Sequence, residues 1–424
     1  MHATNRGVIV AIWAATAAAA FGMGWITSPP HTSTHESPTP DNLATSIRSA
    51  LGEGNEIERQ RRTASLLEQL NPDDLPEVLA LYEQMIPVIG ASELGRFFAA
   101  WAGFDAGGAL EHALSWPLME KRSQQEAAVR AAIQVWALRD PAAAQLASVE
   151  IAAEHVRLRD ALLRGVMTGW VYSHRGQEGL GNFLADLPPL HHRTELIDNA
   201  TRELVRKGGA DAVLSWVEPI LVDESYDPLF KQSVFRSAAT SAAQWDPGRT
   251  AAWAMEHLEA DYAEDGLRSV GKQWGRQDGT AAMAWLGERP AGESRDRAVR
   301  EAFTEWSKAN PLQAKAWLES ENPTAMRDPA LEIKAERVAP HVPQMAIGWC
   351  ERIHDSSRQQ KCLESTAHSW YGRNPVAAEA WLQKSSLDDE ARGRVRKISG
   401  KQGQKQPGQS VPSPQRPRAG GGQH

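Results

Sequence analysis

Cysteine is nearly missing from this chain of 424 residues: there are two, Cys350 and Cys362. Their spacing excludes a C-x-x-C redox centre, and neither lies near the N-terminus, which excludes a bacterial lipoprotein anchor. The G-x-S-x-G, Walker A and dinucleotide-binding glycine patterns are also missing, so nothing points to a serine-hydrolase elbow or a phosphate cradle. Tyrosine (5) and phenylalanine (8) are scarce. Acid is missing from residues 391–424, which carry Arg392, Arg394, Arg396, Lys397, Lys401, Lys405, Arg416 and Arg418. The whole chain has a net charge of −7, so the body ahead of this basic tail is strongly acidic. An acidic body argues against a nucleic-acid groove, which needs a basic face to displace counterions.

What the chain does have is tryptophan, 16 in all. Trp253, Trp285, Trp317, Trp349 and Trp381 recur every 32 residues. A second ladder stands eleven residues ahead of the last four rungs, with Trp274, Trp306 and Trp370 and with Val338 in the missing place. Trp101, Trp136, Trp170 and Trp216 continue the ladders towards the N-terminus at looser spacing. A fixed period of about 20 to 50 residues marks a stacked repeat protein. The ladder positions are therefore read as inter-helix core, with Trp116 and Trp245 off the ladders as candidates for an exposed contact.

One template recurs. A large apolar residue is followed by three spacers, then Asn or Asp, then Pro, then a second large residue eleven after the first. Trp306, Asn310, Pro311 and Trp317 form a clear copy, and Trp370, Asn374, Pro375 and Trp381 another. Asp246-Pro247 and Asp140-Pro141 keep the junction, Asp278 is followed by Gly279, and Asn71-Pro72 opens the series. Val205 to Trp216 has lost the Asn-Pro, and near Trp101 only Asp105 remains. Asn and Asp are favoured N-caps because the side chain accepts from an orphan backbone N–H. Pro at the first helical position has no N–H to waste, and it pushes the residue before it out of the helical region. Asn71, Asp140, Asp246, Asp278, Asn310 and Asn374 are thus expected helix caps, each ending one helix and beginning the next. Ala298, Ala302 and Trp306 share one helical face before the junction, and Ala314, Trp317 and Leu318 share one after it. Each unit is two short helices that cannot bury their apolar faces without the next unit.

With ten units of 32–37 residues and this alternation of large and small residues, the chain resembles the tetratricopeptide-like superfamily of helical-hairpin repeats. The Gly-Tyr pair of that family's first helix is absent, and Pro here starts a helix rather than closing the unit. The resemblance implies an all-α, right-handed α-solenoid of about ten two-helix repeats that binds a protein or extended peptide along its concave face.

Around the repeats, residues 1–27 hold a 20-residue apolar run from Gly7 to Ile26, preceded by Arg6. That is long enough to span a bilayer, and the positive-inside bias exports the rest of the chain. The segment reads as a signal-anchor with Trp25 at the interface, or as a signal peptide cleaved after the alanines ending at Ala20. Residues 28–41 are a Pro/Ser/Thr-rich linker, 42–396 the repeat domain and 397–424 a basic tail expected to be disordered. An exported compartment permits a disulfide, and Cys350 and Cys362 fall almost symmetrically about the turn near Asp355–Ser357, so a bond between them and two buried thiols are both open.

No constellation commits the chain to a reaction, a cofactor or a metal. His191-His192 with Glu195 lacks a metal-binding order and reads as a solvated helix start. The Gly176–Gly181 stretch follows a helix rather than a strand, so a phosphate cradle fails on context. Asp73-Asp74 and Asp388-Asp389 are acids on an acidic surface. The expectation is a non-catalytic, membrane-anchored scaffold or protein-binding module on the extracytoplasmic (periplasmic) side. The alternative is an enzyme or binding protein acting on a cell-envelope polymer through the concave face.

Overall fold

Helix follows helix, and a side-chain cap opens many of them, as Asn55, Asp140, Asp355 and Asn374 do. The computed structural model describes residues 42–115, 122–173, 178–188, 191–257, 259–263, 265–320 and 324–402. Among them there are 21 α-helices and no strand. The expected N-terminal apolar run, the linker and most of the basic tail lie outside these residues, as does Trp116.

The chain divides between Ala242 and Ala243 into two compact units. The first holds α1 (Leu43–Leu51), α2 (Glu56–Leu67), α3 (Leu75–Met85), α4 (Ala91–Ala102), α5 (Ala106–Ser115), α6 (Arg122–Arg139), α7 (Pro141–Glu154), α8 (Arg159–Tyr172), α9 (Glu178–Ala185) and α10 (His191–Val222), with α11 (Pro228–Trp245) at the division. The second holds α12 (Pro247–Glu256), α13 (Gly266–Gln277), α14 (Gly279–Gly287), α15 (Glu293–Ala309), α16 (Pro311–Glu319), α17 (Asp328–Val338), α18 (Pro343–Cys350), α19 (Ser356–Tyr371), α20 (Pro375–Leu382) and α21 (Asp389–Gln402).

Within each unit the packing partners are close in sequence. In the second, α13, α15, α17 and α19 each lie against the next helix and the next but one. In the first, α4, α6 and α8 do the same. Small residues let the long helices approach. Gly275 lies on the backbone of Ala302, Gly169 on Ala137, and Gly165 on Ile133 and the Arg130 carbonyl, with no space at any of them for a Cβ. Such contact exchanges side-chain bulk for backbone proximity, and close packing makes each missing methyl felt.

α10 contains the junction after Val205, which has lost its Asn-Pro. The helix breaks there, with Gly208 at φ −155° and Gly209 at φ 71°. Gly209 stands four residues after Val205, the place Asn310 holds after Trp306. A conformation open to few residues besides glycine therefore breaks the helix where Asp140, Asp246, Asp278, Asn310 and Asn374 place a side-chain cap in other units.

Candidate functional site: the junctions and the faces they set

The junction is built from one backbone conformation. Asp140, Asp246, Asp278, Asn310 and Asn374 lie at φ between −139° and −145° and ψ between 78° and 92°. At Asn310 the N–H closes α15 on the Trp306 carbonyl (2.7 Å), the carbonyl accepts from Ala314 (3.1 Å), and Oδ1 accepts from the Gln313 N–H (3.3 Å). Asn374 repeats this with Trp370 (2.8 Å) and Ala377 (3.0 Å), and Asp278 with Trp274 (2.7 Å) and Ala281 (3.0 Å). Asp140 caps Ala143 at 3.1 Å and Asp246 caps Arg249 at 2.9 Å. One residue thus satisfies the end of one helix and the start of another. Val342 adopts the same conformation (φ −136°, ψ 80°) before Pro343 with no side-chain cap, so the turn does not depend on the cap alone.

Asn71 is placed differently. Its Oδ1 accepts from Asp73 (2.9 Å) and Asp74 (3.2 Å), making a turn, and α3 begins only at Leu75 with Asp74 at its N-cap. The run Pro72–Asp74 separates Asn71 from the helix it was expected to cap.

Across each late junction the two ladder tryptophans meet. Ring centroids are 5.6 Å apart for Trp274 and Trp285, 5.8 Å for Trp306 and Trp317, and 6.4 Å for Trp370 and Trp381. Burial is uneven. Trp101, Trp216, Trp253, Trp285, Trp306, Trp349 and Trp370 are buried, whereas Trp136, Trp170, Trp274, Trp317 and Trp381 are half-buried. Arginines lie over three of the rings: Arg327 is 5.5 Å from the centroid of half-buried Trp317, Arg352 5.6 Å from buried Trp349 and Arg289 5.9 Å from buried Trp285. Trp245, off the ladder, is exposed.

Three further features gave little sign in the sequence. A long polar side chain three residues after a ladder position caps carbonyls of the preceding unit: Gln277 donates to Ala243 (2.9 Å) and Gln244 (3.1 Å), Arg373 to Ala339 (2.5 Å) and Pro340, and Arg139 to Gly103. Asp328 is buried, and its carboxylate accepts from the His354 and Asp355 N–H groups at 2.8 and 2.9 Å. Arg358 grips both oxygens of Glu332 (2.7 and 2.8 Å) and also reaches Asp296. Arg300 adds bonds to Glu332 (3.0 Å) and Glu336 (3.1 Å), so charges on α15, α17 and α19 form one chain. The +3 spacing was the only sequence signal for any of these.

Cys350 and Cys362 are joined in a disulfide with Cα atoms 5.5 Å apart, linking the end of α18 to α19. The bonded pair encloses the turn whose N–H groups Asp328 holds.

The other residues singled out in the sequence do not converge. His192 faces Asp160 (3.4 Å) while Glu195 faces Arg164 (3.7 Å). Gly179 makes room for the indole of Trp170, and Gly181 for Tyr226 and Ile220, so glycines that resembled a phosphate loop serve packing. Asp388 caps α21 at Ala391 (2.7 Å), and Asp389 pairs with Arg392 (3.2 Å). A cavity of about 340 Å³ lies between α19 and α21, lined by Lys361, Glu364, Ser365, His368, Arg394 and Val395. Arg394 bonds both Glu364 oxygens (2.6 and 2.7 Å), which holds that carboxyl below its usual range and occupies much of the guanidinium.

Apolar side chains stand exposed at matching places. Leu312 (80% exposed) and Val376 (81% exposed) each follow a ladder tryptophan by six residues, and Met345 is exposed in the unit between. Among the described residues no group of three or more His, Cys, Asp or Glu could hold a metal ion, and no helix is long and apolar enough to cross a membrane. Comparison of the chain with family models, with curated proteins and with solved structures finds no match.

Proposed function

We propose that this protein is an exported helical-repeat scaffold whose body, a right-handed α-solenoid of about ten two-helix units, binds a protein or extended peptide. Its N-terminal apolar segment directs export and tethers it, and the Pro-rich linker spaces the body from the membrane. Recurrence of one junction conformation, with each unit leaning on the next, supports the solenoid reading. Family membership in the tetratricopeptide-like group is part of this proposal.

The observation that carries the binding reading is the exposed apolar residue at one register position, Leu312 and Val376, with Met345 between them. Large apolar side chains at 80% exposure find no partner within their own unit, and contiguous exposed apolar surface marks interaction sites. Carboxylates held below their usual range, such as Glu305 and Glu364, each have a basic partner, so their shifts have a structural cause.

The test is capture from a cell-envelope extract with the wild-type chain and with a Leu312→Glu, Val376→Glu variant. One reproducible protein partner, lost with the variant, supports the scaffold. Retention on cell-wall polymer without a protein partner moves the reading to the polymer-binding or enzymatic class. Fractionation of the tagged chain tests export separately: recovery in the cytosol would end that part of the proposal.

A further inference from the structure

The unit that begins at Val338 departs from the repeat template at three places. Val338 stands where Trp274, Trp306 and Trp370 each meet a second tryptophan across the junction. Val342 stands where Asp278, Asn310 and Asn374 cap a helix, and it offers α18 no side-chain acceptor. Gly348 stands one residue before the ladder tryptophan, where Ala252, Ala284, Ala316 and Ala380 occupy the other late units. A Cβ at Gly348 would meet no neighbouring atom within 4 Å, so packing does not call for glycine there. Without such a reason, glycine inside a helix only weakens it.

α18 has eight residues, and a helix that short does not stand without tertiary support. It lacks two supports that α14, α16 and α20 have, and the chain's two cysteines join its last residue to α19. In the preceding units the same two places hold Leu286 and Ala298, then Leu318 and Ala330, all buried apolar residues. Those units have a cap and an alanine and no covalent bond. The unit at Val338 has the bond and neither of the others.

We propose that the Cys350–Cys362 bond is a redox switch for α18: a dithiol opens it through Cys362, and α18 then leaves its neighbours while the helices around it stay folded. Entry is at Cys362 because this residue is half-buried, whereas Cys350 is fully buried. A thiolate of the dithiol attacks the Cys362 sulfur, forms a mixed disulfide and expels Cys350 as a thiolate, which takes up a proton. The second thiol of the reductant then closes on its own bonded sulfur and releases Cys362, also protonated. Two electrons pass to the cystine, and the reductant leaves as a disulfide. Release starts in the bonded segment and spreads back along α18 to Pro343. It does not spread along α19, which Arg358 anchors to both oxygens of Glu332 on α17. The switch rests on this unit's own residues and not on the scaffold reading.

The experiment is hydrogen exchange of the full chain in detergent, oxidised and after treatment with dithiothreitol. Reduction should speed exchange across residues 343–350 about tenfold or more, while α16 and α20 keep their rates. A Val342→Asn, Gly348→Ala variant restores the cap and the alanine at two exposed positions, and it should keep α18 protected when reduced. Reduced glutathione, a monothiol, should form its first adduct on Cys362, read by peptide mass spectrometry. The proposal is overturned if α18 stays protected in the reduced wild type, or if α16 and α20 open with it. It is equally overturned if the repaired variant opens as readily as the wild type, or if the adduct forms first on Cys350.

Discussion

Gly279 lies directly beneath the indole of Trp306, with no room for even one carbon between them. The template calls for Pro at that place, as in Pro311 and Pro375, and this unit has Gly because the neighbouring unit fills the space. Gly279→Ala should therefore destabilise the protein by about 1–3 kcal/mol, the usual range for overpacking, although Ala favours helices. Urea denaturation of the variant checks it. No loss would mean that Trp306 swings away at little cost.

The two tryptophans of a junction should not cost the same to remove. Trp306 is 2% exposed, and its deletion should cost about 3–5 kcal/mol, as for a fully buried aromatic. Trp317 is half-buried, resting on Phe303 and Trp306 under Arg327, and its deletion should cost roughly half as much. Hydrogen exchange across α15 and α16 is the suitable readout, because repeat arrays can open locally. Equal protection losses in the two alanine variants would contradict the burial difference.

Removing a cap should act at its own junction. Asn310→Ala and Asp278→Ala should each cost about 1 kcal/mol by freeing the N–H groups of Gln313 and Ala281. The same turn at Val342 forms without a side-chain cap, so the helices should persist and only stability should fall. Circular dichroism and thermal melts separate the two outcomes.

Acid should weaken the second unit through Glu305. The Lys308 ammonium, bonded at 2.8 Å, and then the Arg276 guanidinium at 3.0 Å hold this carboxyl below its ordinary value. A depressed folded pKa gives stability that is present above the unfolded value, about 4.5, and lost as pH falls through the folded one. With partners half-exposed, the effect is under about 1 kcal/mol. Comparing wild type and Glu305→Gln at about pH 6 and about pH 3 should show a gap that closes in acid.

The Cys350–Cys362 bond closes a short loop, and reducing it should cost about 2–4 kcal/mol. Because Asp328 still holds the His354 and Asp355 N–H groups, increased exchange should centre on residues 350–362 before spreading. A Cys350→Ser, Cys362→Ser variant with unchanged protection there would show the bond to be redundant.

The local code of the junction could be read from the chain because it is written in neighbouring residues. Asn310 and Pro311 announce a helix end and a helix start together, and the tryptophans mark the interval. Contacts that cross from unit to unit could not be read so directly. Arg358 reaches Asp296 over 62 positions, and nothing near either residue announces the other. The ladder spacing does not say which rings are buried: Trp306 is buried, whereas Trp317, eleven residues on, is half-buried under Arg327. Asn71 shows the limit of the local code: the cap chemistry is present, but Asp74 lies where the helix starts. Gly209 shows the converse, since a junction with no Asn or Pro survives through a positive φ.

The single-residue turn has a consequence for how this chain can vary in length. Asn310 belongs to two helices at once, so adding one residue there would rotate everything beyond it by roughly 100° about the helix axis, one step of a 3.6-residue turn. The connections on the other side of each unit are longer, as between Glu319 and Asp328 or between Cys350 and Ser356. Those segments can lengthen or shorten without turning the downstream helices. Insertions and epitope tags in the late units therefore belong to those alternate connections, whereas the first junction, where Pro72–Asp74 intervene between Asn71 and the next helix, has already given up the single-residue turn.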